Sequence, residues 1–168
     1  LAVVVVTVAV NGPFEWVVHR CLLHAPSASF RMRVLRTGVG HRRHHRDPND
    51  LGWVLLKASD VIAFVPMLAV TTGAVTLPWL WLLGWPVLGP YLSALVVTYL
   101  ALAHYEWTHL LIHTRYRPTS RYYRRLAANH RLHHYRNERY WLGVASNLGD
   151  RLARTLPAAK TDVPLSDT

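Results

Sequence analysis

Between Lys57 and Arg115 the chain contains no Lys or Arg, and from Val61 to Ala103 it is apolar apart from Thr, Ser, Gly and Pro. That length is about twice the roughly 20 residues needed for one helical crossing of a bilayer. The stretch is therefore expected to form a helical hairpin. Its turn is placed in the Pro78–Pro86 region, where Trp79, Trp81 and Trp85 suit the headgroup interface and Pro and Gly interrupt helices. Residues 1–18 give a second membrane signal, with Glu15 as the one charge and Asn11-Gly12-Pro13 as a kink. A hydrophobic content of 51%, with seven Trp and eight Tyr, exceeds what a small soluble domain of 168 residues needs. The expected organisation is one membrane domain over 1–156, with membrane segments at about 1–18, 55–77 and 87–107. The last stretch, 157–168, is rich in Pro, Asp and small residues and reads as a disordered tail.

Charge orients this plan. Seventeen of the 19 basic residues are arginines, and all seventeen lie between Arg20 and Arg46 or between Arg115 and Arg154. The positive-inside rule puts both stretches on the cytoplasmic side. A net charge of +10 also raises nucleic acid as a partner, but no reading motif accompanies it, and two basic stretches flanking an uncharged hairpin suit an anionic lipid surface. No nucleic-acid partner is expected.

All eleven histidines fall into four clusters: His19 and His24; His41, His44 and His45; His104, His109 and His113; and His130, His133 and His134. An even number of crossings between the second and third clusters brings all four to the same membrane face. Imidazoles repeated at helical spacing in four such segments point to bound metal. On a helix, residues four apart differ by about 40° and residues three apart by about 60°, so each cluster presents imidazoles to one side. Adjacent pairs such as His44/His45 diverge by about 100°, which suits two neighbouring ions. His19 and His24, five apart, fit an α-helix poorly, so the helix is expected to loosen after His19. His104 sits about 180° from His113 and faces away from the His109/His113 pair. Setting it aside leaves ten imidazoles, enough for two ions with about five each. The fold class is thus all-α: an integral-membrane helical bundle with a cytoplasmic helical cap carrying a histidine-rich dinuclear metal site.

The motif order H-x4-H, H-x2-H-H, H-x3-H, H-x2-H-H resembles the fatty acid hydroxylase and sterol desaturase superfamily. Glu15-Trp16-Val17-Val18-His19-Arg20, Tyr105-Glu106-Trp107-Thr108-His109 and the closing Leu142–Asp150 segment are similar to family motifs. The gaps between His24 and His41 and between His113 and His130 look most like those of fatty acid 2-hydroxylases. The resemblance implies a non-haem di-iron oxygenase that uses O2 and external electrons to hydroxylate or desaturate a lipid acyl chain. It carries the ligand role to His19, His24, His41, His44, His45, His109, His113, His130, His133 and His134. It also implies a separate electron donor, such as a ferredoxin, a cytochrome b5-like protein or a reductase, and further helices ahead of a truncated N-terminus. Zinc favours the same donor and is left open by spacing alone.

Around the ligands, Glu15, His104, Glu106, Asn129 and Asp150 are candidates for supporting contacts, with Asn147 a weaker one. Glu15 and Glu106 are placed to receive a ring N–H, or else to pair with an arginine. Cys21 stands alone and reads as helix packing, and Tyr122/Tyr123 read as an amphipathic surface. The alternatives are carotenoid or sterol oxidation within the same superfamily, and a non-enzymatic membrane metal-binding or transport protein. Ligands at helix ends, away from the bilayer midplane, argue against transport.

Overall fold

The stretch without Lys or Arg folds as two long helices in the computed structural model, which describes residues 1–26, 29 and 37–166. In chain order the helices are α1 (Ala2–Val18), continued by a π turn at His19–Leu23, then α2 (Thr37–Arg46), α3 (Ala58–Leu82), α4 (Leu88–His113), α5 (Arg121–Tyr135) and the short α6 (Leu148–Leu152). Short 3-10 turns lie at Leu51–Trp53 and Lys160–Asp162, and no strand occurs among the described residues. Arg31, Arg33 and Arg36 of the first basic stretch, and the last two residues of the expected tail, lie outside the described residues.

The helices containing α1, α3 and α4 are each long and apolar enough to cross a membrane. Their outward faces carry Ile62, Val70, Trp81, Leu88 and Leu100, all at least 64% exposed. In water that surface would cost about 25 cal/mol per Å²; against lipid tails the cost disappears. α3 passes through Pro66 and Pro78 without ending, and the chain turns at 83–87, with Gly84 at φ 65°. The turn is thus shorter than the Pro78–Pro86 span suggests, because membrane helices re-satisfy the carbonyl that a proline frees. Pro90 sits in the first turn of α4, where an N–H would have no helical partner anyway.

Polar ties join α3 to α4. Tyr91 and Tyr99 donate their hydroxyls to the Ala69 and Val65 carbonyls at 3.1 and 3.0 Å, and the Thr72 and Thr98 hydroxyls meet at 3.2 Å. α1 packs against α4 and against α6. The second contact is tight: a Cβ on Gly149 would lie 2.3 Å from the Trp16 Cβ and 2.9 Å from the Gly12 carbonyl oxygen. Among the residues read as a tail, Val163 is buried, its carbonyl accepts from the Arg136 guanidinium, and the Ser166 N–H donates to the Arg136 carbonyl at 2.7 Å.

Candidate metal centre

Two of the long helices deliver histidines from their C-terminal ends. At the end of α1 the backbone widens into the π turn, and the His24 N–H reaches back to the His19 carbonyl at 3.1 Å. An i→i+5 turn is the local solution to the H-x4-H spacing, because it brings residues five apart back to one side. The His19 and His24 rings accordingly stack with centroids 5.1 Å apart. At the end of α4, His109 and His113 are one α-turn apart and both face inward. The remaining rings come from α2 and α5, the latter capped by Ser120, whose hydroxyl oxygen accepts from the Tyr123 N–H.

These elements gather ten histidines into two groups of five. One holds His19, His24, His41, His45 and His133, the other His44, His109, His113, His130 and His134. Within each group the candidate ligand nitrogens all lie within 4.8 Å of one another. The adjacent residues His44 and His45 go to different groups, as do His133 and His134, in line with the 100° step between neighbours. The groups abut, with the His45 and His134 rings stacked at 4.1 Å.

Hydrogen bonding shows which nitrogen faces inward. His19 Nδ1 meets the Leu142 carbonyl at 2.5 Å, His133 Nδ1 the Tyr140 carbonyl at 2.9 Å, and His113 Nδ1 the Pro48 carbonyl at 2.9 Å. A carbonyl only accepts, so in each ring the proton is on Nδ1 and Nε2 presents a bare lone pair. Those Nε2 atoms nonetheless face other Nε2 atoms: His19 to His41 at 3.1 Å, His133 to His24 and to His45 at 3.2 Å, and His113 to His130 at 3.0 Å. His41 to His24 and His134 to His130 are each 3.0 Å. Lone pairs converging in this way repel one another unless they share a cation.

The spacing fits such a cation. With metal–nitrogen bonds of about 2.1 Å, neighbouring ligands lie about 3.0 Å apart in an octahedron and about 3.4 Å apart in a tetrahedron. The Nε2 separations of 3.0 to 3.2 Å lie within reach of one shared ion in each group. Both ring nitrogens of His44 and His109 are buried with no hydrogen-bond partner among the described residues, a costly state that a bound ion would relieve. Burial first, then the neighbouring imidazoles, pushes His44 down to about 3 and His45 to about 2, and holds His41, His130 and His133 well below the usual imidazole value. These rings are neutral at pH 7, the form that binds metal.

The candidate supporting residues act at one remove. Glu15 accepts from the Val144 and Ala145 N–H groups at 2.5 and 2.9 Å, and Glu106 from the Leu56 N–H at 2.8 Å. Asp150 accepts from Leu142 N–H, Gly143 N–H and the Thr155 hydroxyl at 3.0, 2.6 and 2.6 Å. Asn129 donates its side-chain amide to Asn147 at 3.1 Å. These carboxylates thus anchor backbone, where ring N–H groups or arginines were the expected partners. His104 lies outside both groups and bonds the Tyr123 hydroxyl at 2.9 Å. Tyr122, read as surface, donates to the Ala145 carbonyl at 2.7 Å and pins the closing segment.

Among the described residues the acid that does approach the imidazoles is Glu138, 3.5 Å from His24 Nδ1 and 3.9 Å from His45 Nδ1. Sequence reasoning missed it. The available signal was its position in the turn after α5, four residues beyond His134.

Two cavities reach the histidines. One of about 540 Å³ runs among α1, α3 and α4, walled by residues such as Val8, Phe64, Leu68 and Ala101 and touching His19, Glu15 and Tyr105. The other, about 690 Å³, is polar and touches His24, His45, His134, Arg46 and Glu138.

Known proteins resemble this chain in sequence and fold. Residues 4–155 match the family described as fatty acid hydroxylase. Two curated relatives are beta-carotene hydroxylases of Paracoccus species. That of strain N81106 / MBIC 01143 is 31% identical over 136 residues, and that of strain PC1 33% over 141; each alignment covers 79% of this chain and 72% of the relative. A solved structure described as "Full length scs7p (only hydroxylase domain visible)" superposes with a TM-score of 0.72 at 24% identity, over 98% of this chain and 58% of that one. With the family match spanning nearly the whole chain and the fold shared, the protein belongs to the fatty acid hydroxylase family.

Proposed function

We propose that this membrane hydroxylase holds two iron ions, one in each group of five histidines, and uses O2 and external electrons to hydroxylate an apolar lipid that enters from the bilayer. The observation that carries the reading is the pair of five-histidine groups, in each of which the candidate ligand nitrogens all lie within 4.8 Å of one another. A closed structural zinc site uses four ligands, fewer than the five gathered in each group. The metal pair, when bound, supplies the activation of O2 needed to attack an unreactive C–H bond.

The chain's own residues do the rest. The Leu142, Tyr140 and Pro48 carbonyls fix the tautomers of His19, His133 and His113, so their Nε2 lone pairs aim inward. The apolar cavity accepts a hydrocarbon directly from the membrane and ends at His19, while its walls keep water from the reacting carbon. Glu15 ties α1 to the Val144–Ala145 backbone, which closes the cavity beside the histidines. The polar cavity touching His24, His45 and His134 gives a separate electron donor, a ferredoxin, cytochrome b5-like protein or reductase, a short route to both ions. The positive-inside rule places this centre on the cytoplasmic side.

Two substrate classes fit. The motif spacing favours a lipid acyl chain. The likeness to beta-carotene hydroxylases over four-fifths of the chain favours a carotenoid ring as the second reading. Expression in hosts with and without a carotenoid supply, with bound metals quantified and extracted lipids profiled for added oxygen, separates them. The reading expects oxygenated product from the wild type and none from His133→Ala. A wild type carrying two irons and supplied with electrons, yet giving the His133→Ala profile in both hosts, would overturn it.

A further inference from the structure

The two histidine groups look alike in ligand number, but their surroundings differ. In the first group, the outward nitrogen of four rings faces an acceptor: His19 and His133 meet backbone carbonyls, and His24 and His45 lie 3.5 and 3.9 Å from the Glu138 carboxylate. In the second group one ring does, His113 against Pro48. The Nδ1 atoms of His130 and His134 are buried with no partner among the described residues. For His44 and His109 both nitrogens are in that state, so whichever one faces an ion, the other is unpaired.

An acceptor on the far nitrogen orients an imidazole and makes its metal-facing nitrogen more basic. A carboxylate does more, because it adds negative charge to balance the cation. From this asymmetry we infer that the two metal positions are unequal: the first group binds its ion more tightly and fills first, and Glu138 is the positioning residue that sets the difference. The inference rests on the two-ion reading above. Its mechanism is plain electrostatics. Glu138 stands beside two ligands of one group and forms no ion pair with the other among the described residues. It also lines the polar cavity and is partly open to solvent, so replacing it removes charge without opening a hole in the core.

The test is a stepwise anaerobic titration of the metal-free chain in lipid nanodiscs with Co2+. Bound ions are counted by mass spectrometry after desalting, and the visible absorption of each step is recorded. Two equivalents should bind in total, the first at least about 10-fold more tightly, the scale on which outer partners of ligating histidines act. Glu138→Gln should weaken the first step by about 10- to 100-fold and shift its absorption bands, leaving the second step unchanged. His45→Ala should weaken the first step and His44→Ala the second. Circular dichroism of each variant checks that the helices persist, and Glu138→Asp, which keeps the charge, should recover part of the loss. Fewer than two ions on the wild type would overturn the two-ion reading and this inference with it. Two ions of equal affinity, or a Glu138→Gln chain indistinguishable from wild type in both affinity and spectrum, would overturn this inference alone.

Discussion

Asp150 hydrogen-bonds to no histidine among the described residues, yet it fixes one. Its oxygens hold the N–H groups of Leu142 and Gly143 and the Thr155 hydroxyl, and the Leu142 carbonyl in turn orients His19. Trp141, just before, sits at φ 54°, a left-handed conformation that a bulky residue adopts only when its surroundings enforce it. Burial raises the Asp150 pKa above the usual carboxylate value, against the pull of those three donors. Asp150→Ala would strand two backbone N–H groups and should cost about 2–4 kcal/mol. The check is a lowered thermal midpoint together with loss of metal from the first group; an unchanged melt and full metal content would contradict it.

The histidines predict a pH response of the metal-free chain. The folded pKa values of His41, His44, His45, His130 and His133 lie below the unfolded value of about 6.5, with His44 at about 3 and His45 at about 2. Below pH 6.5 the unfolded chain takes up protons that the folded chain refuses, so stability falls as pH drops from about 6.5 toward 3 and is constant above. Thermal melts of metal-free protein at pH 7.5, 6 and 5 should show a falling midpoint. A midpoint that rises on acidification would mean the rings are not buried as neutral imidazoles.

At the level of elements, the contact between α1 and α6 decides where His19 stands. Gly149 leaves no room for a side chain against Trp16 and Gly12, and Trp16 Nε1 donates to the Thr155 hydroxyl at 2.8 Å. Gly149→Ala must push the helices apart. The expected result is a loss on the order of 2 kcal/mol, measured by thermal unfolding, with weakened metal binding at the first group. A variant as stable as wild type would show that the approach is looser than described.

The same scale shows what the residue order revealed in advance. The hairpin was legible because 57 consecutive residues without Lys or Arg, 58–114, leave few other folds. The assignment of His44 and His45 to separate groups followed from helical angle alone, and the weak α-helical fit of His19 and His24 foreshadowed the π turn. Other features were hidden for physical reasons. Pro78 looked like a break, but a membrane helix tolerates it. The carbonyls of Leu142, Tyr140 and Pro48 carry no side-chain signature, since every residue has one. Glu138 meets His24 across 114 positions of chain, a relation that no local pattern encodes.

The whole molecule joins a bundle of long apolar helices to a polar end where the histidines gather. The two cavities approach the histidines separately, one apolar and walled by membrane helices, one polar and lined by Arg46 and Glu138. This predicts a fixed orientation. In a Cys21→Ser background, Gly84→Cys in the hairpin turn should be labelled by an impermeant maleimide from outside the cell. Arg46→Cys should be labelled only after the membrane is opened. The reverse pattern would put the centre on the wrong side for cytoplasmic electrons.

The claim on which all of this depends is that ten imidazoles hold two ions. Elemental analysis of folded, iron-supplied, purified chain tests it most directly: the account predicts two metal ions per chain, and a value of one or none with every histidine intact would contradict it.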